Sequence, residues 1–375
     1  MSDHKHARAM GAEQLLAGRR ICVCVGAGGV GKTTTAATLA IGMAMRGQKV
    51  VVVTIDPARR LAEALGLETL DNEPQRVFAP GSKRLNDAGL PDIKGELWAV
   101  MLDPKRTFDE LIDRVSPSPE RAAEIKRNGV YRQLSSAVAG SQEFTAIEKL
   151  YELAQEDYDL LVLDTPPAHS ATEFLNAPGR LNAFLGGGAL QALIRPTGLG
   201  MRLLGIGATP LLSALRLVTG VDLLTDLTRF LSLLGGMAGD FTARAARVEE
   251  LLHADTTGFV LVTTAEDRPV QEAIAFRETL RASKMPFVGT IVNRVAPAIH
   301  AGTRAGLDGK LAADLADRLL ACARDHEVLA TRDRANIRRL REGLGEQPLL
   351  VVPDLDERLS DASGLFAMQQ ELFGD

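Results

Sequence analysis

Residues 26–33 have the types and the spacing needed to bind the phosphates of a nucleotide. They read Gly-Ala-Gly-Gly-Val-Gly-Lys-Thr, the P-loop pattern G-x-x-x-x-G-K-[ST], between the apolar run 21–25 and the helix-like run 34–40. Glycines let successive backbone N–H groups turn towards phosphate oxygens, and the helix that follows adds its positive N-terminal end. We expect Lys32 to reach the β- and γ-phosphates of ATP, and the Thr33 hydroxyl to bind Mg²⁺. The predicted nucleotide-binding residues of this loop are Gly26, Ala27, Gly28, Gly29, Val30, Gly31, Lys32, Thr33 and Thr34.

Two aspartates follow apolar runs, as the acidic groups of a P-loop enzyme do. Asp164 ends such a run in the Walker B pattern, and we expect it to hold Mg²⁺ through water because Mg²⁺ keeps much of its hydration shell. Asp56 follows the run 49–55 and is placed to orient an attacking water. A helix cap or a turn is the alternative for either aspartate alone. With Lys32 they form the predicted catalytic set, and Thr33 and Asp164 are the predicted metal ligands.

The elements that must position these residues alternate between strand-like and helix-like patterns. Several strand-like runs are continuous in Val, Leu and Ile, as in strands covered on both faces, and segments such as 142–155 between them have helical spacing. This alternation predicts an α/β fold with a doubly wound, mostly parallel sheet that binds ligands at the carboxyl ends of its strands. The predicted strands are 21–25, 49–55, 97–102, 159–163, 258–263, 287–292 and 349–352.

Two segments do not fit a minimal sheet and set the predicted domain organisation. Residues 172–253 are mostly apolar without a strand pattern, and residues 295–345 are helix-prone and densely charged. We therefore predict an N-terminal tail, 1–20, and a single P-loop ATPase domain, 21–375. The domain carries a helical insert at about 172–253 and a charged, solvated helical insert at about 295–345.

The longest charge-free runs of the apolar insert are 181–194 and 203–215. Both are shorter than the ~18–20 residues that span a bilayer, so we expect no transmembrane segment. The insert is then a buried helical layer, a dimer surface or a partly exposed groove for hydrophobic helices, since large exposed apolar patches mark binding sites.

Composition excludes several classes of protein. The formal net charge is −5, which argues against a general affinity for nucleic acid or for anionic lipid. The three cysteines form neither a disulfide framework nor a metal-ligand spacing. Residues 1–20 contain basic side chains but lack the apolar core of a secretory signal, so we expect a cytoplasmic protein.

Four motifs, taken in order, resemble those of the ArsA-type ATPases. This family includes arsenite-pump ATPases and the eukaryotic ATPase that targets tail-anchored membrane proteins. The resemblance runs from about residue 20 to the end of the sequence and is strongest to actinobacterial-type anion-transporting ATPases. The motifs are the P-loop with its threonines, Thr54-Ile55-Asp56-Pro57-Ala58, Asp164-Thr165-Pro166-Pro167 and Ile291-Val292-Asn293-Arg294.

The resemblance implies a role for each motif. Asp56 matches the switch I aspartate that positions the hydrolytic water, and Asp164 begins the matching switch II. Asn293 matches an asparagine that contacts adenine, and Pro353 lies in the matching loop beside the base. The insert at about 172–253 matches the region that binds hydrophobic clients, which implies a hydrophobic or membrane-protein partner.

Ala27 departs from the family pattern, in which a lysine at this position reaches the partner's phosphates across a dimer. A heterodimer with a paralogue that keeps the lysine would supply the missing charge, and a homodimer would need another cation such as Arg59 or Arg60. A nearly inactive nucleotide-binding subunit is the third alternative. The cysteines of the family's zinc and metalloid sites are missing, which argues against metalloid transport. Switch II usually has Gly then His where this chain has His169 and Ser170, so we assign His169 no role.

We therefore predict a Mg²⁺-dependent ATPase whose nucleotide state switches a dimer and a helical, apolar surface for a client or partner. The alternative is a partitioning or positioning ATPase that acts on DNA or membrane, although the segment 359–375 lacks the basic face that membrane binding favours. An iron–sulfur reductase would need bridging cysteines at helix ends, which the sequence does not contain.

Overall fold

The computed structural model describes residues 11–55, 60–129, 131–132, 141–165, 229–230, 232–233, 237–298, 313–355 and 362–374. The strands are β1 (Ile21–Val25), β2 (Lys49–Thr54), β3 (Gln75–Phe78), β4 (Glu96–Met101), β5 (Leu160–Asp164), β6 (Thr257–Thr264), β7 (Phe287–Val295) and β8 (Leu349–Pro353). The helices are α1 (Ala12–Leu16), α2 (Lys32–Met45), α3 (Arg60–Ala64), α4 (Lys83–Asp87), α5 (Pro104–Val115), α6 (Pro119–Arg127), α7 (Ser141–Leu153), α8 (Ala238–His253), α9 (Asp267–Ala282), α10 (Ala313–Leu344) and α11 (Ala362–Phe373).

These strands form one sheet in the order β3-β4-β2-β5-β1-β6-β7-β8. Every neighbouring pair is parallel except β3 and β4, which are antiparallel. The predicted α/β class and mostly parallel sheet are therefore confirmed. Strand β1 lies between β5 and β6, so the chain order reverses beside it, and ligands of such sheets bind at the carboxyl ends of the strands next to this reversal.

Each of the predicted strands is present, with bounds that differ by a few residues. The continuous apolar runs are the central strands, and every residue of β1, β5 and β6 is buried. Strand β3 was not predicted. It is a four-residue antiparallel edge strand in which only Val77 and Phe78 are buried, so it lacks the long apolar run that marks a central strand.

Helix α2, which follows the P-loop, is buried on nearly all sides. It contacts β1, β2 and β5 of the sheet and also α11. The close approach of α11 requires a glycine, because a Cβ atom at Gly42 would lie 2.2 Å from the ring of Phe373. The helix that begins at the P-loop is thus held between the sheet and the last helix of the described chain.

Two predicted segments contain more packed structure than the sequence indicated. The predicted tail, 1–20, includes α1, where Ala12, Leu15 and Leu16 are buried, so the fold begins before residue 21. The charged segment, 295–345, contains the 32-residue α10, which packs on α9 and β7. Among the helices of the described residues, none is both long and apolar enough to cross a membrane.

Contacts between Cα atoms group the chain into two compact units. The first comprises Met1–Met101, Leu153–Thr172 and His253–Asp375, and the second comprises Leu102–Glu152 and Glu173–Leu252. The second unit therefore includes α5, α6 and most of α7, in addition to most of the predicted insert at about 172–253. Residues 166–228 lie outside the described residues, so the apolar runs of the insert, and the single-domain organisation, stay predictions.

Candidate nucleotide-binding site

The P-loop connects the carboxyl end of β1 to the N-terminus of α2, as predicted from its flanking patterns. Glycine is required at both ends of the loop. A Cβ atom at Gly26 would lie 2.0 Å from the carbonyl oxygen of Val262 in β6. Gly31 has a φ of 93°, and a Cβ atom there would lie 2.3 Å from Nδ2 of Asn293. A side chain at either position would therefore clash with its neighbour.

The amino end of α2 offers backbone donors to an anion. Its N-cap is Gly31, no side chain caps it, and no acidic residue lies in its first turn. Lys32, the first helical residue, is buried, and its Nζ donates to the carbonyl oxygens of Gly26 at 3.1 Å and Ala27 at 2.7 Å. The ammonium group therefore lies over its own loop, where the N–H groups and the helix dipole favour phosphate.

The carboxylate of Asp164, at the end of β5, binds residues of two other elements. Its Oδ2 accepts a hydrogen bond from Oγ1 of Thr33 at 2.7 Å and another from Oγ1 of Thr54 at 2.9 Å. Thr33 belongs to α2, Thr54 is the last residue of β2, and Asp164 is the last residue of β5. The structure thus brings together the two predicted metal ligands and adds Thr54, to which the sequence analysis gave no role. Thr54 pairs with Asp164 in the β2–β5 register, a pairing between distant residues that the sequence does not display.

The donor set at Asp164 fits Mg²⁺. One carboxylate and one hydroxyl are hard oxygen ligands, and Mg²⁺ in phosphate sites takes one or two protein oxygens, phosphate oxygens and several waters. The described residues contain no group of three or more His, Cys, Asp or Glu that could hold a metal by themselves. At such a site Mg²⁺ would complete its coordination with waters and phosphate oxygens.

The switch segments are described only at their first residues. Thr165 donates through Oγ1 to the carbonyl oxygen of Cys24 at 2.7 Å, which ties the end of β5 to β1. The predicted catalytic Asp56 and the unassigned His169 lie outside the described residues. The predicted role of Asp56 therefore stays a prediction.

Asn293 lies under the P-loop. It is buried in β7, and its Nδ2 donates to the carbonyl oxygen of Val30 at 3.0 Å. Its Oδ1 accepts from the backbone N–H of Arg294 at 3.0 Å, a residue with a left-handed φ of 53°. The adenine contact expected for Asn293 stays a prediction, as does that of Pro353, which ends β8 and pairs with Val295.

A cavity of about 100 Å³ adjoins the P-loop at Gly28 and Gly29. Its other polar lining residues are Thr264, Glu266, Arg294, Arg332 and Asp333. Arg332 belongs to α10, the charged helix that the sequence analysis expected to lie in solvent. Residues of that helix therefore reach the nucleotide side of the sheet.

Two buried polar side chains fix α10 at this position. Asp333 accepts the backbone N–H of Ala296 at 2.9 Å, and Asn336 donates to the carbonyl oxygen of Ala265 at 2.9 Å. Asp333 also accepts two hydrogen bonds from Arg332, at 3.0 and 2.8 Å. Asp333 and Asn336 are three residues apart, so they lie on one face of the helix. This spacing was the feature of the sequence that could have indicated a buried face of α10, although the segment contains many other charges.

The comparisons with known proteins agree with this geometry. The family described as anion-transporting ATPases, the ArsA type, matches residues 19–305. The chain belongs to this family. It is 26% identical over 271 residues to the ATPase get3 of Schizosaccharomyces japonicus, covering 72% of each chain. It is 24% identical over 290 residues to the ATPase BagA of Mycobacterium tuberculosis, covering 76% of this chain and 67% of that protein.

Membership of the ArsA-type ATPases makes the chain a P-loop ATP hydrolase by family. The recognition from four sequence motifs is thereby confirmed. Ala27, which stands where the resemblance led us to expect a lysine, has a buried methyl side chain.

Proposed function

We propose that this ArsA-type ATPase binds and hydrolyses Mg²⁺·ATP in the cytoplasm and uses its nucleotide state to switch a dimer and a client-binding surface. The convergence of Thr33 and Thr54 on Asp164 carries the proposal, because it joins the P-loop helix, the switch I strand and the switch II strand at one carboxylate. A change at the phosphates can therefore reach both switch segments through this carboxylate.

The chemistry divides among a few groups. Bound Mg²⁺ would neutralise phosphate charge, held by the Thr33 hydroxyl and by Asp164. The backbone N–H groups of the P-loop would hold the phosphates, while Lys32 would exchange its carbonyl partners for phosphate oxygens. Asp56 would orient the attacking water in line with the leaving group.

Two substitutions separate binding from hydrolysis. We expect Lys32→Ala to weaken ATP binding, because it removes the P-loop ammonium, and Asp56→Asn to retain binding but lose turnover. Calorimetry measures the first effect and phosphate release the second. Asp255→Asn, which removes an exposed carboxylate outside the site, is the control for the change in charge. Normal turnover in Asp56→Asn would remove Asp56 from the catalytic set.

The second unit is the proposed site of client binding. Its insert at about 172–253 contains the two charge-free runs, whose apolar side chains suit either a buried layer or a groove for hydrophobic helices. Hydrogen exchange with and without an ATP analogue distinguishes these alternatives. A groove predicts protection in the insert that changes with nucleotide, whereas uniformly high protection in both states would indicate buried core.

The partner of the dimer is proposed from Ala27. A methyl group cannot neutralise phosphate charge across an interface, and cations supplied in trans are worth about 10³-fold or more in rate. We therefore propose a heterodimer with a paralogue that carries the lysine. The competing homodimer needs another cation, and besides Arg59 or Arg60 the chain has Arg294 and Arg332 beside its own P-loop.

Turnover of the purified chain tests the heterodimer. We expect slow hydrolysis by the wild-type chain, a large increase in Ala27→Lys, and no increase in Ala27→Gln, which adds length without charge. The increase should approach the ~10³-fold expected of a trans cation. Rapid turnover by the wild-type chain alone, unchanged by Ala27→Lys, would rule out the need for a lysine-bearing partner.

A further inference from the structure

A second cavity lies in the second unit, formed by residues distinct from those of the P-loop. Its volume is about 290 Å³, and its lining consists of Arg114 and Val115 from α5 with Asp240, Arg244 and Arg247 from α8. Cavities that bind drug-sized molecules run from about 300 to 1,000 Å³, so this one lies just below that range and suits a smaller ligand. Three of its five lining residues are arginines, which makes its electrostatic character unusual.

Two carboxylates of α7, the buried Glu148 and the partly exposed Glu152, hold two of these arginines in place. Glu148, whose side chain is 1% exposed, accepts a hydrogen bond from Nε of Arg244 at 2.5 Å, and Nη2 of Arg244 pairs with the same oxygen. Nη2 of Arg114 lies 2.6 Å from Oε1 of Glu152. The Arg244 guanidinium also lies over the ring of Tyr151, 5.1 Å from its centroid. These contacts fix the orientation of both guanidinium groups before any ligand arrives.

The arginines keep donors for a ligand. Each guanidinium has five N–H donors, and the contacts to Glu148 and Glu152 use only part of them. Arg247 is exposed, and in the part of the chain that the structure describes it forms no ion pair. The lining residues alone have a formal charge of +2, from three arginines and Asp240, and the adjacent Glu148 and Glu152 offset the charges of Arg244 and Arg114. A planar guanidinium matches the oxygens of a phosphate group in a bidentate manner.

We propose that this cavity binds the phosphate group of a small ligand, either free in solution or as the headgroup of a lipid. The phosphate would accept hydrogen bonds from Arg114 of α5 and from Arg244 and Arg247 of α8. Asp240 would accept a hydrogen bond from a hydroxyl of the ligand. The bound group would cross-link α5 and α8, so occupancy would stabilise the packing of these helices in the second unit.

The test uses the full chain with inorganic phosphate as the probe. Calorimetric titrations are run in the Lys32→Ala variant with Mg²⁺·ADP present, so that the P-loop does not contribute phosphate binding. We expect one saturable phosphate site, weakened about tenfold or more by Arg247→Gln, because a hydrogen bond to a charged group is lost. Arg247 has no ion-pair partner within the described chain, so its replacement leaves no buried charge unpaired.

Arg229→Gln is the matched control, since it removes an exposed arginine that pairs with Glu124 in the same unit. Flotation with phosphatidate vesicles, against phosphatidylcholine vesicles, tests the lipid source. Binding that depends on Arg247, to free phosphate or to phosphatidate vesicles, supports the proposal and identifies the source. Absence of both kinds of binding, or an equal loss in Arg229→Gln, would overturn it. Either result leaves the proposed ATPase function untouched, because the P-loop is disabled throughout.

Discussion

Asn293 supports the P-loop through its hydrogen bond to the carbonyl oxygen of Val30. Replacing Asn293 by alanine tests whether its main role is this support or a contact to adenine. The substitution removes the partner of the Val30 carbonyl, 3.0 Å away, in a buried environment. An unsatisfied buried acceptor costs about 1–3 kcal/mol. If the P-loop has to return to its present shape in order to bind phosphate, this cost is taken from the free energy of nucleotide binding. Each 1.4 kcal/mol is a factor of ten in affinity, so the affinity for nucleotide falls by roughly 5- to 150-fold.

The assay compares three ligands that share phosphates but differ in the base. Calorimetry with Mg²⁺·ADP, Mg²⁺·GDP and Mg²⁺·pyrophosphate reports the loss of affinity for each in Asn293→Ala. Support of the P-loop predicts equal losses for the three ligands, because the Val30 carbonyl belongs to the phosphate cradle. A contact to adenine predicts a loss confined to ADP.

The matched control is Asn128→Ala, which removes another buried asparagine, one whose Oδ1 accepts the backbone N–H of Tyr131 at 3.2 Å. We expect it to lower thermal stability without changing nucleotide affinity. A loss for ADP alone in Asn293→Ala would refute the reasoning from the Val30 contact. Unchanged affinity for all three ligands would refute both roles.

Two further expectations concern the strands beneath the site. Thr54→Val keeps the shape of a buried side chain but removes a hydrogen bond to the Asp164 carboxylate, so urea unfolding should show a loss of about 1–3 kcal/mol; an unchanged midpoint would contradict this. Among the thiols, Cys322 is exposed and should react with a thiol reagent in the native protein, whereas Cys22 and Cys24 are buried and should react only after unfolding. A hydrogen bond with the Cys22 thiol and burial raise the pKa of Cys24, which further slows its reaction. Labelling of all three thiols at equal rates in native protein would show that β1 is not packed as described.

The sequence predicted those parts of the site that depend on local patterns. The central strands were recognisable because their burial on both faces requires continuous apolar runs, and the P-loop because its glycines and Lys32 are contiguous. Asp164 was recognisable because it ends such a run. Each of these features depends on neighbours in the chain, which a single sequence displays directly.

Contacts between distant residues were not predictable in the same way. Nothing in the types of Asn293 and Val30 indicates that they meet, since they are 263 residues apart in the chain. The burial of Asp333 was hidden among the many charges of α10, because a solvated charge and a buried, satisfied one look alike in sequence. Strand β3 was missed because an edge strand of four residues needs little apolar sequence.

The contact between Gly42 and Phe373 has a consequence for the order of folding. The helix that presents the P-loop begins near the start of the chain, but the side chain that covers Gly42 is synthesised roughly 330 positions later. At about 5–20 residues per second, a ribosome would take roughly 15–65 s to reach it. During that interval α11 does not yet cover α2, a helix that contains four alanines and two methionines. The helix that presents the P-loop therefore reaches its native packing only after α11 has been translated, long after its own residues.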